Sequence, residues 1–127
     1  PEDAQAHVYY SYALERAERL EEAWREAEKA LELNPLDANV RTNAGDLCAK
    51  LGRCEEAIGH WDKAYEADPT QISCLFSKAG MYANIGEKEK AIAQYEEILQ
   101  WLEAHGYNME LEGAYPRGMI EKLKKTK

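Results

Sequence analysis

Three prolines, Pro1, Pro35 and Pro69, stand 34 residues apart, and the same interval separates Ala23, Ala57 and Ala91, Glu21, Glu55 and Glu89, and Gly52 and Gly86. A period of this length is the mark of stacked supersecondary units, each too small to bury its own apolar face and each covering that of its neighbour. A chain of 127 residues has room for three such units and a remainder. The period alone therefore predicts a solenoid.

Each unit reads as two helices. From Ala38 to Leu51, apolar residues fall at Val40, Ala44, Leu47, Cys48 and Leu51, the three-and-four spacing of one helical face, before a break at Gly52-Arg53. A second helix from Glu55 carries Ala57, Ile58, Trp61, Ala64 and Tyr65 on one stripe, has acids in its first turn, and stops before Asp68-Pro69. The pattern recurs over Ala4–Ala17 with Glu21–Leu33, and over Ile72–Ile85 with Lys88–Ala104. The expected fold is all-α, with helix pairs at about 4–37, 38–71 and 72–105, and a linker and closing helix over 106–127.

On these residues the chain resembles the tetratricopeptide-repeat family, whose 34-residue pattern runs W-x2-L-G-x2-Y, then A-x3-F, then P. The second unit carries the resemblance best, with Ala44-Gly45 and Cys48 on its first helix, then Ala57, Trp61, Ala64 and Pro69. The third shows Leu75, Lys78-Ala79, Tyr82, Ala91 and Tyr95, and the first, more loosely, Tyr10-Ser11, Leu14, Ala23, Ala27 and Pro35. Ser11, Gly45 and Ala79 are small where two helices of a pair must approach closely. The resemblance covers residues 1 to 105 and implies a right-handed superhelical solenoid of antiparallel helix pairs.

The departures from the period mark the ends. Glu103 stands where a fourth proline is due, so the sixth helix is expected to run on through Trp101 and Leu102 to Gly106. Tyr107–Tyr115 reads as irregular, and Pro116 as the first position of a short helix whose Met119, Ile120 and Leu123 cap the last repeat. Pro1 occupies the closing position of a unit that does not precede it, which predicts further repeats or another domain upstream.

In this family the first helices line a concave groove, so the resemblance implies binding of a peptide or protein segment there. Helix register names the residues: Gln5, Tyr9, Tyr12 and Arg16 from the first unit, Asn39, Thr42, Asn43, Asp46 and Lys50 from the second, and Ser73, Phe76, Ser77, Gly80 and Asn84 from the third. Tyr9 and Phe76 read equally as groove residues or as packing between helices. Family members that grip acidic chaperone tails carry two Lys, one Arg and two Asn in the groove. Here Asn43 matches, but Val8, Tyr12, Ser73 and Ser77 stand at the other four positions, so that ligand is rejected.

Charge narrows the partner further. The last twelve residues carry five basic and one acidic side chain, leaving the preceding 115 with 11 basic against 23 acidic, a net −12. A neutral or basic segment is the expected partner, and nucleic acid is not. No apolar run approaches the roughly 18 residues of a membrane span. The odd set Cys48, Cys54 and Cys74 lacks zinc-site spacing, as do His7, His60 and His105, so a reducing, cytoplasmic setting with no metal or other cofactor is expected. Cys48 with His60, or Ser73 with Cys74 and His105, could be written as nucleophile and base, but all fall on positions the repeat already explains, and no enzyme is read here. The rival readings are self-association through an uncapped N-terminal end and service as the targeting domain of a larger enzyme.

Overall fold

The computed structural model describes residues 3–125; Pro1, the first of the periodic prolines, lies outside them. Seven helices follow in order: α1 (Ala4–Arg16), α2 (Leu20–Leu33), α3 (Ala38–Lys50), α4 (Cys54–Ala67), α5 (Ser73–Asn84), α6 (Lys88–Ala104) and α7 (Ala114–Lys125). No strand occurs among the described residues. The fold is the expected all-α solenoid of helix pairs.

The turn inside each pair is three residues long and built the same way. At the end of α3, Arg53 N–H donates to Cys48 O at 2.8 Å and Gly52 N–H to Ala49 O at 3.2 Å, satisfying carbonyls that the helix end leaves free. Gly52 takes the left-handed backbone that this motif needs, with φ 80°. Arg53 is at once the last residue of that motif and the N-cap of α4, which is why so short a turn suffices. The same pair of bonds closes α5, from Glu87 to Tyr82 O and from Gly86 to Ala83 O, and closes α6, from Tyr107 to Leu102 O and from Gly106 to Glu103 O. Between pairs the joints differ. Asp37 caps α3 by accepting from Val40 N–H at 3.1 Å, and Asp3 caps α1 by accepting from Gln5 N–H at 3.0 Å.

The chain divides into two compact units, one ending at Cys74 and one beginning at Leu75. In the first, Leu14, Ala23, Ala27 and Leu47 form one buried cluster, flanked by Leu20 and Trp24, and Val8, Ala30 and Val40 form another. The alanines of α2 and α4, Ala23, Ala27, Ala30, Ala57 and Ala64, are wholly inaccessible, which lets helix backbones approach closely. Gly45 meets a side chain: a Cβ there would lie 2.6 Å from the indole nitrogen of Trp61.

In the second unit Ala91, Tyr95, Ile98 and Leu102 of α6 are buried, with Pro116 and Ile120 of α7. The Tyr115 ring lies 6.2 Å from that of Tyr95, edge to face, and 6.2 Å from that of Phe76. The closing helix thus covers apolar surface, as expected, but it starts earlier than Pro116. It begins at Ala114, putting Pro116 at the third position; Arg117 N–H makes the first closing bond, to Gly113 O at 3.1 Å. A proline is tolerated there because the first helical N–H groups have no intrahelical acceptor.

Candidate functional site

Within the first unit, α1 and α3 are joined side by side by two bonds. Asn43 Nδ2 donates to Ser11 Oγ at 3.2 Å, and Lys50 Nζ lies 2.6 Å from Glu15 Oε2. One spans 32 residues and the other 35, bracketing the 34-residue period, so the two helices run in parallel and nearly in register. Tyr12 is one residue beyond Ser11 and three before Glu15. Asp46 is three beyond Asn43 and four before Lys50. The two bonds therefore place Tyr12 and Asp46 beside one another between them.

Tyr9 and Tyr12, one turn apart on α1, are 66% and 38% exposed. At this exposure Tyr9 does not serve as packing between helices. Burial raises the Tyr12 hydroxyl above its ordinary value, and the charges of Asp46 and Glu15 raise it further. Asp46 is half-buried and accepts the Trp61 indole N–H at 3.0 Å. Burial lifts its carboxyl above the usual aspartate value; the Trp61 hydrogen bond works against this, the Glu15 charge adds to it, and the Lys50 charge opposes it. The hydrogen bond to Glu15 holds Lys50 firmly in its charged form. Glu15 Oε1 is buried without a hydrogen-bond partner.

Asn43 requires a correction. Read from the helix register as a groove residue, it is fully buried. Its amide nitrogen is spent on Ser11, and its Oδ1 is buried with no partner. It shares a face of α3 with Asp46, but at this height that face is covered by α1. Thr42 is also occupied, its Oγ1 lying 2.9 Å from Ala38 O and 3.1 Å from Gln71 Oε1, and Gln71 in turn donates to Asn39 Oδ1 at 3.1 Å. Gln5 is half-buried, while Arg16, Asn39 and Lys50 are exposed. Arg16 and Lys50 line a cleft of about 530 Å³ with Glu15, Glu18 and Leu20 at the end of α1.

Phe76, Ser77 and Asn84 fall in the second unit. Phe76 is half-buried beside Tyr115, Ser77 is half-buried, and Asn84 is the exposed last residue of α5. Sequence reasoning missed three contributors in the first unit: Ser11, Glu15 and Trp61. Ser11 and Trp61 were visible only as packing residues, and Glu15 lies one residue before the named Arg16.

The thiols are poor nucleophiles. Cys48 is inaccessible and burial pushes it up to about 11; Cys74 is buried and raised for the same reason. The Nδ1 of His60 lies 3.1 Å from an Arg41 guanidinium nitrogen, where an imidazole lone pair is engaged. Among the described residues no three of His, Cys, Asp and Glu converge to hold a metal ion, and no helix is long and apolar enough to cross a membrane.

Two family models, both of the tetratricopeptide repeat, match residues 24–72 and 72–104. No curated protein matches the chain in sequence. Solved structures do match in fold. The TPR2B domain of yeast Sti1, in its pHsp70 complex, is 18% identical with a TM-score of 0.81, over 98% of each chain. The Yersinia enterocolitica type III secretion chaperone SycD, in complex with a peptide of the translocator YopD, is 17% identical with a TM-score of 0.79, over 94% of this chain and 91% of that one. The TPR domain of Arabidopsis OM64 is 14% identical with a TM-score of 0.78, over 98% and 96%. With a 34-residue period in the sequence, the same three-residue glycine turn at Gly52 and Gly86, and repeat models meeting at residue 72, the chain belongs to the tetratricopeptide-repeat family.

Proposed function

We propose that this chain is a protein-interaction module that holds a peptide or protein segment against the face formed by its first helices, with Tyr9, Tyr12, Asp46, Asn39 and Lys50 in contact with the segment. The observation that carries the reading is the exposure of large rings on α1, where Tyr9, Tyr10 and Tyr12 all reach solvent, with Tyr9 and Tyr12 one turn apart on one side and Val8, Ser11 and Leu14 packed on the other. Rings supply contact area at low entropic cost, and Tyr is among the residues that dominate binding energy at interfaces. The scaffold beneath them is held rigid by the Ser11–Asn43 and Glu15–Lys50 bonds. Structural relatives captured with bound polypeptide, SycD with a YopD peptide and the Sti1 domain with pHsp70, support the general mode. The net −12 of residues 1–115 favours a neutral or basic segment.

Peptide display against the whole chain, followed by titration of the selected segments, tests this. Tyr9→Ala and Tyr12→Ala should each weaken binding about tenfold, the effect of losing roughly 1.4 kcal/mol at an aromatic anchor. Glu28→Ala, at an exposed position on α2, should leave affinity unchanged. Equal affinity for all three variants would remove the binding surface from the first helices.

A further inference from the structure

Between the two bonds that join α1 to α3, the charges do not balance. Glu15 and Asp46 are both carboxylates, and Lys50 is bonded to Glu15. Of the ion pairs seen among the described residues none involves Asp46, whose one hydrogen bond is to a neutral indole. The Lys50 ammonium lies within electrostatic reach of Asp46 but is bonded to Glu15, so two carboxylates share one cation. A carboxylate half out of water and without an ion pair of its own attracts a further cation more strongly than a fully solvated one does, because less water screens it. Beside it, Tyr12 and Tyr9 offer aromatic faces, which attract cations through the ring quadrupole.

Resting on the reading above, we infer that Asp46, with Tyr12 and Tyr9, forms a subsite for one basic side chain, arginine or lysine, of the bound segment. The cation sits over the exposed rings with its charge on the Asp46 carboxylate. Arginine suits this best, since its planar guanidinium can stack on a tyrosine ring while its N–H groups reach a carboxylate oxygen. Trp61 takes up Oδ1 of Asp46 and so fixes the carboxylate, which leaves the second oxygen for the ligand. Arg16 and Lys50 bound the subsite toward the end of α1, where they line the neighbouring cleft. A second cation is unwelcome there, so the subsite takes one basic residue, not a basic run.

Burial first, and then the charges of Asp46 and Glu15, raise the Tyr12 hydroxyl, so two negative charges lie within electrostatic reach of the ring where the cation is to sit.

The test uses linear ten-residue segments displayed as a random library against the full chain, with the selected segments then synthesised and titrated. The expected result is enrichment of a single arginine or lysine in binders that depend on Tyr12. Replacing that arginine by citrulline, the same shape without charge, should weaken binding tenfold or more, and Asp46→Asn should weaken the arginine segment equally. Asparagine keeps an acceptor for Trp61, so the fold is preserved. On Asp46→Asn the citrulline exchange should cost less than twofold, which assigns the charge contact to this pair. If citrulline binds as well as arginine while Tyr12→Ala still weakens binding, the inference fails and the proposed function stands. If the library yields no binder that depends on Tyr9 or Tyr12, both fail.

Discussion

Glu18 takes the same left-handed backbone turn as Gly52, one 34-residue period later, with φ 62° against 80°. The two positions make the same pair of bonds, Glu18 N–H to Glu15 O and Arg19 N–H to Leu14 O in the first repeat. Among the described residues Glu18 is the only non-glycine at positive φ. A side chain there costs about 1–2 kcal/mol of steric energy. Glu18→Gly should therefore raise stability by about 0.5–1 kcal/mol, once the greater freedom of glycine in the unfolded chain is set against it. Gly52→Ala should lose about 1 kcal/mol. Urea midpoints for the two variants, moving in opposite directions, check the pair.

Two glycines within the second helix pair should respond oppositely to alanine. At Gly45 the added Cβ would stand 2.6 Å and 2.7 Å from atoms of the Trp61 indole, and Trp61 is itself buried and tied to Asp46. Gly45→Ala should cost about 1–3 kcal/mol by overpacking. At Gly59 nothing lies within 4 Å. Gly59→Ala should gain about 0.5–1 kcal/mol from helix propensity alone. Thermal or urea melts followed by circular dichroism will separate them, and similar losses for both would show that Trp61 does not occupy the space above Gly45.

Asn43→Ala should act on folding rather than on binding alone. It removes a buried side chain that bonds Ser11, at an expected cost of about 1–3 kcal/mol. Ser11→Ala should cost less, because a serine hydroxyl can turn to its own helix backbone. The double variant should lose less than the sum of the two, with a coupling of about 0.5 kcal/mol or more, since the bond is counted in each single change. Additive losses would mean the two residues do not interact.

Stability should fall with acidity in a window set by His60. Burial, and then the Arg41 charge beside it, hold the imidazole below its ordinary 6.5 in the folded chain. The unfolded chain therefore binds more protons as the pH falls below about 6.5, and the folded state loses stability through that window; above it the contribution is complete. Urea midpoints should decline between pH 7 and 5.5, and His60→Gln should flatten that decline. Glu26 is also lowered, chiefly by its 2.8 Å hydrogen bond to His7, so its contribution is lost further down, below its ordinary 4.5. A decline unaffected by His60→Gln would assign the pH dependence to other groups.

The repeat and its helix pairs were legible because they depend on spacing, and spacing is preserved whatever the chain does in three dimensions. The end of α6 at Ala104 and the turn at Gly106 followed from the missing proline at Glu103. What sequence could not supply was height along a helix face. Asn43 and Asp46 share a face of α3, and periodicity treats them alike, but Ser11 of α1 covers one and leaves the other half open. Contacts of that kind join residues 32 to 35 apart, and their partner is chosen by how two helices slide, which no local pattern records. Glu18 escaped notice for the converse reason: the turn it forms is identical to that of Gly52, but its residue type carries no signal of it. The first turn of α7 began two residues before the proline because an N-terminal turn accepts proline at more than one position.

The hydrogen bond from Trp61 to Asp46 gives the face an optical handle. The buried indole is tied to the carboxylate through its N–H, and the same edge of the ring fills the space beside Gly45, so it has little freedom to relax. Any charge brought onto Asp46 changes the electric field along that N–H, and with it the colour of the light the ring emits. With Trp24 and Trp101 changed to phenylalanine, the remaining tryptophan becomes a native reporter, and occupancy of the first helices can be followed without a label on either molecule.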